Sequence, residues 1–195
     1  MATPFPNESV LAANVPSFLK NKATKTTAIR TIKTPKENYE NSSGYYTGYG
    51  PYFQYQQASN WCWIAVAVSL GNFKLKNYWA YDQRTLANKL LGGQYDSTGD
   101  PAFSMSACNC FRGREANYIS AKRVLTELLN TCPLVVGFSP TWNSSHVAVI
   151  SAAINASSSY YVVDDPWWGP GKQVNIGEMS SSVLGTWYTT FYYAS

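Results

Sequence analysis

Cys62 closes a polar, turn-prone run, Gln56-Gln57-Ala58-Ser59-Asn60-Trp61, and opens an apolar helical pattern. A thiol in the first turn of a helix feels the positive end of the helix dipole. That favours the thiolate, the form that attacks a carbonyl carbon. A nearby imidazolium favours it further and can protonate a leaving group. The chain holds one histidine, His146, so Cys/His chemistry requires these two residues to meet. Set against this, Cys62 reads equally as one small residue in a buried helix, and a lone histidine usually has no chemistry.

His146 opens the strand-like run HVAVISA, after a polar turn at 141–145. The next strand-like run, 160–164, leads into Asp164-Asp165-Pro166-Trp167. Two adjacent strands joined by a turn near Asn155 bring the start of the first beside the end of the second. His146 then meets Asp164 or Asp165, and a carboxylate there orients the imidazole and holds its charge. Alternate strand residues point to opposite faces, so only one of the two aspartates can serve. Gln56, six residues before Cys62, carries an amide able to donate to a developing oxyanion beside the Cys62 N–H; Gln57 is its competitor. Cys108-Asn109-Cys110 has neither a second close cysteine pair nor further histidines to complete a metal site. No metal and no cofactor is expected.

The elements that must position these groups fall into two kinds. Ser59 or Asn60 is expected to cap a helix beginning near Cys62, apolar nearly all round and therefore central and buried. A second helix is expected over 82–91, capped by Asp82 and stopped by Gly92. A third is expected over 114–130, with Tyr118, Ala121, Leu125 and Leu128 at helical spacing. Strands are expected over 133–138, 146–152, 160–164, 173–176 and 186–193, with turns at Ser139-Pro140, 155–157 and Gly169-Pro170-Gly171. The stretch GYYTGYGPYFQY, 44–55, reads as an irregular loop laid on the domain. Helices followed by strands give an α+β class with an antiparallel sheet packed on the helices.

A chain of 195 residues suits one domain. The net charge of +4 is concentrated at the start: residues 1–36 hold six basic groups against Glu8 alone, a net of +5, so the remainder carries −1. Residues 1–45, rich in Pro, Thr, Asn, Ser and Lys, read as a mobile basic leader, and 46–195 as the folded domain. A near-neutral domain gives no ground for nucleic-acid binding, and no apolar run reaches the length of a membrane span. The start lacks a basic region followed by an apolar one, so a secretory signal peptide is not expected.

The order Gln…Cys-Trp…His…Asp-Pro, carried by Gln56, Cys62-Trp63, His146 and Asp165-Pro166, resembles the papain-like cysteine peptidases. Within that group the chain is most similar to the AvrRpt2-type bacterial effector proteases: Cys62-Trp63, CPLVVGF followed by HVAVIS, and VVDDP…GPG before an aromatic terminal strand follow that family's order over about residues 50–193. The resemblance implies a papain-like fold, with an N-terminal helical subdomain whose central helix starts at Cys62, packed on a C-terminal antiparallel sheet. It implies a cysteine endopeptidase working through a thioester acyl-enzyme, with Cys62 as nucleophile, His146 as acid and base, Asp165 as the orienting carboxylate and Gln56 in the oxyanion hole. It further implies protein or peptide substrates, a monomer, delivery into a host cell without a signal peptide, and room for a host activating factor. A cytoplasmic protein fits the same leader.

That family processes itself at a leader motif of the form Val-Pro-x-Phe-Gly-x-Trp. Val15-Pro16-Ser17-Phe18 matches its start, but Leu19 and Asn21 replace the Gly and Trp, so self-cleavage here does not follow from the motif. Two other readings stay open from sequence. The same centre serves a deamidase, amidase or transglutaminase-like enzyme, and the aromatic surface suits a binding module on a decayed peptidase fold.

Overall fold

The computed structural model describes residues 44–93, 95–141, 144–154, 160–175 and 185–195. Its elements run β1 (Gly44–Tyr46), α1 (Cys62–Leu75), α2 (Gln83–Leu91), α3 (Pro101–Ala107), β2 (Phe111–Ala116), α4 (Ala121–Leu129), β3 (Leu134–Thr141), β4 (Ser144–Ile154), β5 (Tyr160–Asp165), β6 (Gly169–Asn175) and β7 (Thr186–Tyr193). The strands form one antiparallel sheet in the order β2-β7-β3-β4-β5-β6, with β1 paired to the far end of β4. The fold is α+β, as the sequence predicts.

Both faces of the sheet are covered. Val135, Val147, Val149 and Phe191 pack with α1, α2 and α3 on one side. Leu134, Val136, Ala148, Ile150 and Tyr161 pack with Val124 and Leu128 of α4 on the other. The period-two alternation of each strand sorts its side chains between these two cores. Every residue of α1 from Trp63 to Phe73 is buried, the place its all-round apolar pattern requires. Helix α2 keeps its expected ends: the Asp82 carboxylate accepts the Thr85 N–H at 2.9 Å, and Gly92 adopts the left-handed conformation that glycine tolerates best.

Several expectations are corrected. The helix over 114–130 is instead β2 followed by α4, which Ser120 caps. Phe111-Arg-Gly-Arg-Glu-Ala alternates between half-buried and exposed and pairs with β7, so tertiary pairing overrides the helical spacing there. Tyr118 lies between the two elements and is exposed. Helix α3, with Asp100 as cap and Pro101 at its first position, has no counterpart in the sequence reading. Neither Ser59 nor Asn60 caps α1; Trp61 occupies that position and makes no side-chain cap bond.

The 44–55 stretch contributes a short strand and a 3-10 turn at Gly50–Tyr52, with Tyr49 fully buried. Ser139-Pro140 continues β3, and Gly169-Pro170-Gly171 begins β6, an edge strand where proline costs no ladder bond. The turn at 155–157, the Val15–Phe18 segment and the leader up to residue 43 lie outside the described residues; Gly44 and Tyr45 open β1. Among the described residues, no helix is long and apolar enough to cross a membrane.

Candidate active site

Cys62 is the first residue of α1 and is partly exposed. In that turn no earlier helical carbonyl can accept its N–H. His146 lies near the start of β4, opposite Phe138 of β3, with its side chain 19% exposed. Its Nε2 is 2.9 Å from Asp165 Oδ1. An ionised carboxylate only accepts, so Nε2 carries the hydrogen and Nδ1 remains for the thiol. The Cys62 thiol lies close enough to the ring to favour its protonated form. The sole histidine thus bridges the cysteine and one aspartate.

Strand register decides which aspartate. Val149 stands opposite Asp164 in the β4–β5 ladder. The next residue, Asp165, turns to the other face, shared by residues 148 and 146 of β4. Asp165 Oδ1 also accepts the N–H groups of Trp167 (2.8 Å) and Trp168 (3.1 Å), which hold the carboxylate under the imidazole. Asp164 is buried on the opposite side and accepts the Gly171 N–H at 2.7 Å, bracing the β5–β6 turn.

The charges follow from these contacts. Burial alone would lower the His146 pKa, but the adjacent Asp165 carboxylate and the thiol outweigh it and raise it to about 10. Burial pushes Asp165 up, and the imidazolium, Lys172 and the Trp167 N–H pull it down further, to about 2. Asp164 has no such cation in contact, and burial raises it to about 6. Two neighbouring aspartates therefore differ widely in acidity because one faces a base and the other an apolar core.

The loop before Cys62 is tied from several directions. Gln56 is buried, and its Nε2 donates to the carbonyls of Ala58 and Ser59, both at 2.8 Å. Its own N–H donates to Pro166 O at 3.0 Å, joining the nucleophile loop to the Asp165 turn. Gln57 is exposed; its N–H donates to Oε1 of the buried Gln83, whose Nε2 donates to Tyr55 O at 2.7 Å. Across the site, residues 95–97 form a strap. Asp96 Oδ1 accepts the Asn60 N–H at 2.7 Å, Tyr95 O accepts Trp61 Nε1 at 2.8 Å, and Ser97 O accepts Trp63 Nε1 at 3.0 Å. Gly99 follows the strap against Trp63, where an added Cβ would lie 2.5 Å from the indole. Sequence reasoning missed Gln83 and Asp96, since nothing in a local pattern marks a partner about thirty residues away.

A cleft of about 360 Å³ runs beside Cys62, between Gly99 and the sheet residues Ser145, Val147 and Tyr188. The Asp100–Arg114 ion pair, 2.9 Å, lies on its wall. The cleft is large enough for a substrate side chain next to the thiol. Cys108, Cys110 and Cys132 are buried free thiols; burial raises Cys108 to about 12 and Cys110 higher still, so both stay protonated and unreactive near neutral pH. Among the described residues, no cluster of three or more His, Cys, Asp or Glu is placed to hold a metal ion.

No curated protein matches the chain. The family model described as papain-like cysteine protease AvrRpt2 matches residues 49–183, a span that runs from the buried Tyr49 through the cysteine, the histidine and both aspartates. With more than half of its length matched, the chain belongs to the papain-like cysteine protease AvrRpt2 family.

Proposed function

We propose that this protein is an endopeptidase in which Cys62 is the nucleophile, His146 the acid and base, and Asp165 the residue that orients and charges the imidazole. The observation that carries this reading is the 2.9 Å contact of His146 Nε2 with Asp165 Oδ1, with the Cys62 thiol at the start of α1 close enough to favour the charged imidazole. The thiolate attacks the scissile carbonyl carbon, and the carbonyl oxygen takes up the electron pair as an oxyanion beside the Cys62 N–H. As the tetrahedral adduct collapses, the C–N bond breaks and the imidazolium gives its Nδ1 proton to the departing amine. Water then gives a proton to His146 and attacks the thioester, releasing the carboxylic acid and restoring the ion pair. Gln56, expected to donate to the oxyanion itself, has both amide hydrogens on the Ala58 and Ser59 carbonyls; it supports the oxyanion hole by holding the 58–60 turn that leads to the Cys62 N–H.

Protein substrates, action as a monomer and delivery into a host cell as a bacterial effector belong to the same proposal and rest on the family. So does a removable leader, which β1 limits to residues before Gly44. The test is the intact and fragment mass of a host-cell lysate treated with the wild type and with Cys62→Ala. New fragments from the wild type alone are the expected result. Equal fragments from both would remove Cys62 from the chemistry, and a gain of about one dalton without fragments would make the enzyme a deamidase.

A further inference from the structure

The peptide group between Ser59 and Asn60 is held at both ends. Its carbonyl accepts from Gln56 Nε2 at 2.8 Å, on the buried side. Its N–H donates to Asp96 Oδ1 at 2.7 Å, on the exposed side. The Asn60 side chain reaches back to Asp96 O at 3.3 Å, so residue 60 is tied to residue 96 twice. The carboxylate bond is short and charge-assisted, and it polarises the peptide, strengthening the carbonyl as the acceptor for Gln56. The strap's two other bonds fix the indoles of Trp61 and Trp63, which flank Cys62 on either side. Meanwhile α1 lacks the side-chain cap that would ordinarily fix the first turn of a helix.

We infer that Asp96 is a positioning residue of the active site: it holds the Ser59–Asn60 peptide from outside, as Gln56 does from inside, and so fixes the direction of the Cys62 N–H toward the oxyanion. The inference rests on the peptidase reading above. Asp96 does not line the cleft beside Cys62. It is exposed, so its bond adds little to global stability. Its effect falls on geometry, where a small misalignment of an oxyanion donor is costly.

Two thiol reactions separate this role from a general structural one. Iodoacetamide alkylates Cys62 by displacing iodide from carbon, with no oxyanion formed, so its rate follows the thiolate alone. A peptide aldehyde, built on the acyl side of a sequence the wild type cleaves, adds the thiol to give a hemithioacetal whose oxygen occupies the oxyanion position. For Asp96→Ala, kcat falls about tenfold with KM within about twofold, and the aldehyde binds about tenfold more weakly. Alkylation stays within about twofold of wild type. Asp96→Asn, which keeps an acceptor oxygen, recovers most of the loss, and serves with the same readouts if Asp96→Ala does not fold. Unchanged kcat and aldehyde affinity would overturn the inference, as would alkylation falling in step with hydrolysis. A wild type that alkylates readily but cleaves no peptide would overturn the peptidase reading and this inference together.

Discussion

Cys62 and His146 come to one site from regions held together in different ways. His146 and Asp165 sit on adjacent strands of one sheet, and ladder register brings them to the same face. Cys62 sits at the end of a loop with no ladder and no side-chain cap, held by isolated hydrogen bonds from residues far away in sequence, among them Gln83, Asp96, Ser97 and Pro166. Regular structure positions the base, and an irregular network positions the nucleophile. The sheet sets the charge state of the pair, while the loop sets where the oxyanion donor points. Damage to the two regions should therefore read out differently.

The largest expected effect tests that separation directly. His146→Ala removes the proton donor and the charge partner of the thiol. It is expected to lower kcat/KM by at least about a thousandfold and to slow iodoacetamide alkylation of Cys62 at neutral pH as well. Gln56→Ala loosens the 58–60 turn and leaves the imidazole in place. A loss of about a hundredfold in kcat is expected there, with alkylation near wild type. Alkylation falling equally in both variants would mean that loop and sheet act as one unit.

The two aspartates sharpen the comparison within the sheet itself. His146 is raised to about 10 from an ordinary 6.5, so its contribution to stability is complete below 6.5 and lost as pH rises through 10. Asp165 is lowered to about 2 from 3.8, so its contribution is present above 3.8 and lost as pH falls through 2. Hydrolysis should keep an alkaline limb near pH 10. In Asp165→Asn the carboxylate charge is gone, only the Cys62 thiol still opposes burial of the imidazole, and the limb in kcat/KM moves down from about 10. Asp164 has the opposite sign: raised to about 6, it favours the fold while protonated, and that advantage is lost as pH rises from 3.8 through 6. Asp164→Asn keeps an oxygen for the Gly171 N–H. It is expected to raise the melting temperature at pH 7.5 more than at pH 4, with hydrolysis within about twofold of wild type. A shifted alkaline limb in Asp164→Asn would show that the wrong carboxylate has been assigned to the histidine.

The same division explains what could be read from the sequence. The meeting of His146 with Asp164 or Asp165 followed from two alternating runs and a turn, because a ladder converts spacing into position. The choice between the two aspartates needed the register, and a bulge between Ile150 and Ala152 hides it from simple counting. The central placement of α1 followed from a pattern with no polar face. The strap did not appear, because Tyr95–Ser97 contributes backbone carbonyls and one exposed carboxylate, and neither leaves a periodic trace. The second half of strand β2 was read as helix because Tyr118, Ala121, Leu125 and Leu128 fit helical spacing just after it. Its pairing with β7, more than seventy residues later, decided the matter.

The smallest expected effect concerns a helix start that is held locally. At α2 the Asp82 side chain accepts the Thr85 N–H at 2.9 Å, so a neighbouring side chain does for α2 what the distant strap does for α1. Asp82→Ala removes that bond and a negative charge near the helix N-terminus, at a cost of about 1 kcal/mol in denaturant unfolding. The carboxyl is also held below its ordinary value by the Thr85 and Arg84 hydrogen bonds, against the pull of burial. Its contribution is therefore present above 3.8 and fades as pH falls below that, so the variant and the wild type should converge in acid. Hydrolysis should not change, since the hydrogen-bonded link from α2 to the nucleophile loop is the buried Gln83 amide, which takes no part in the cap. If kcat nevertheless falls with Asp82→Ala, the Gln83 link to residues 55 and 57 transmits the helix start into the nucleophile loop, and the network holding Cys62 extends one helix further than its direct bonds.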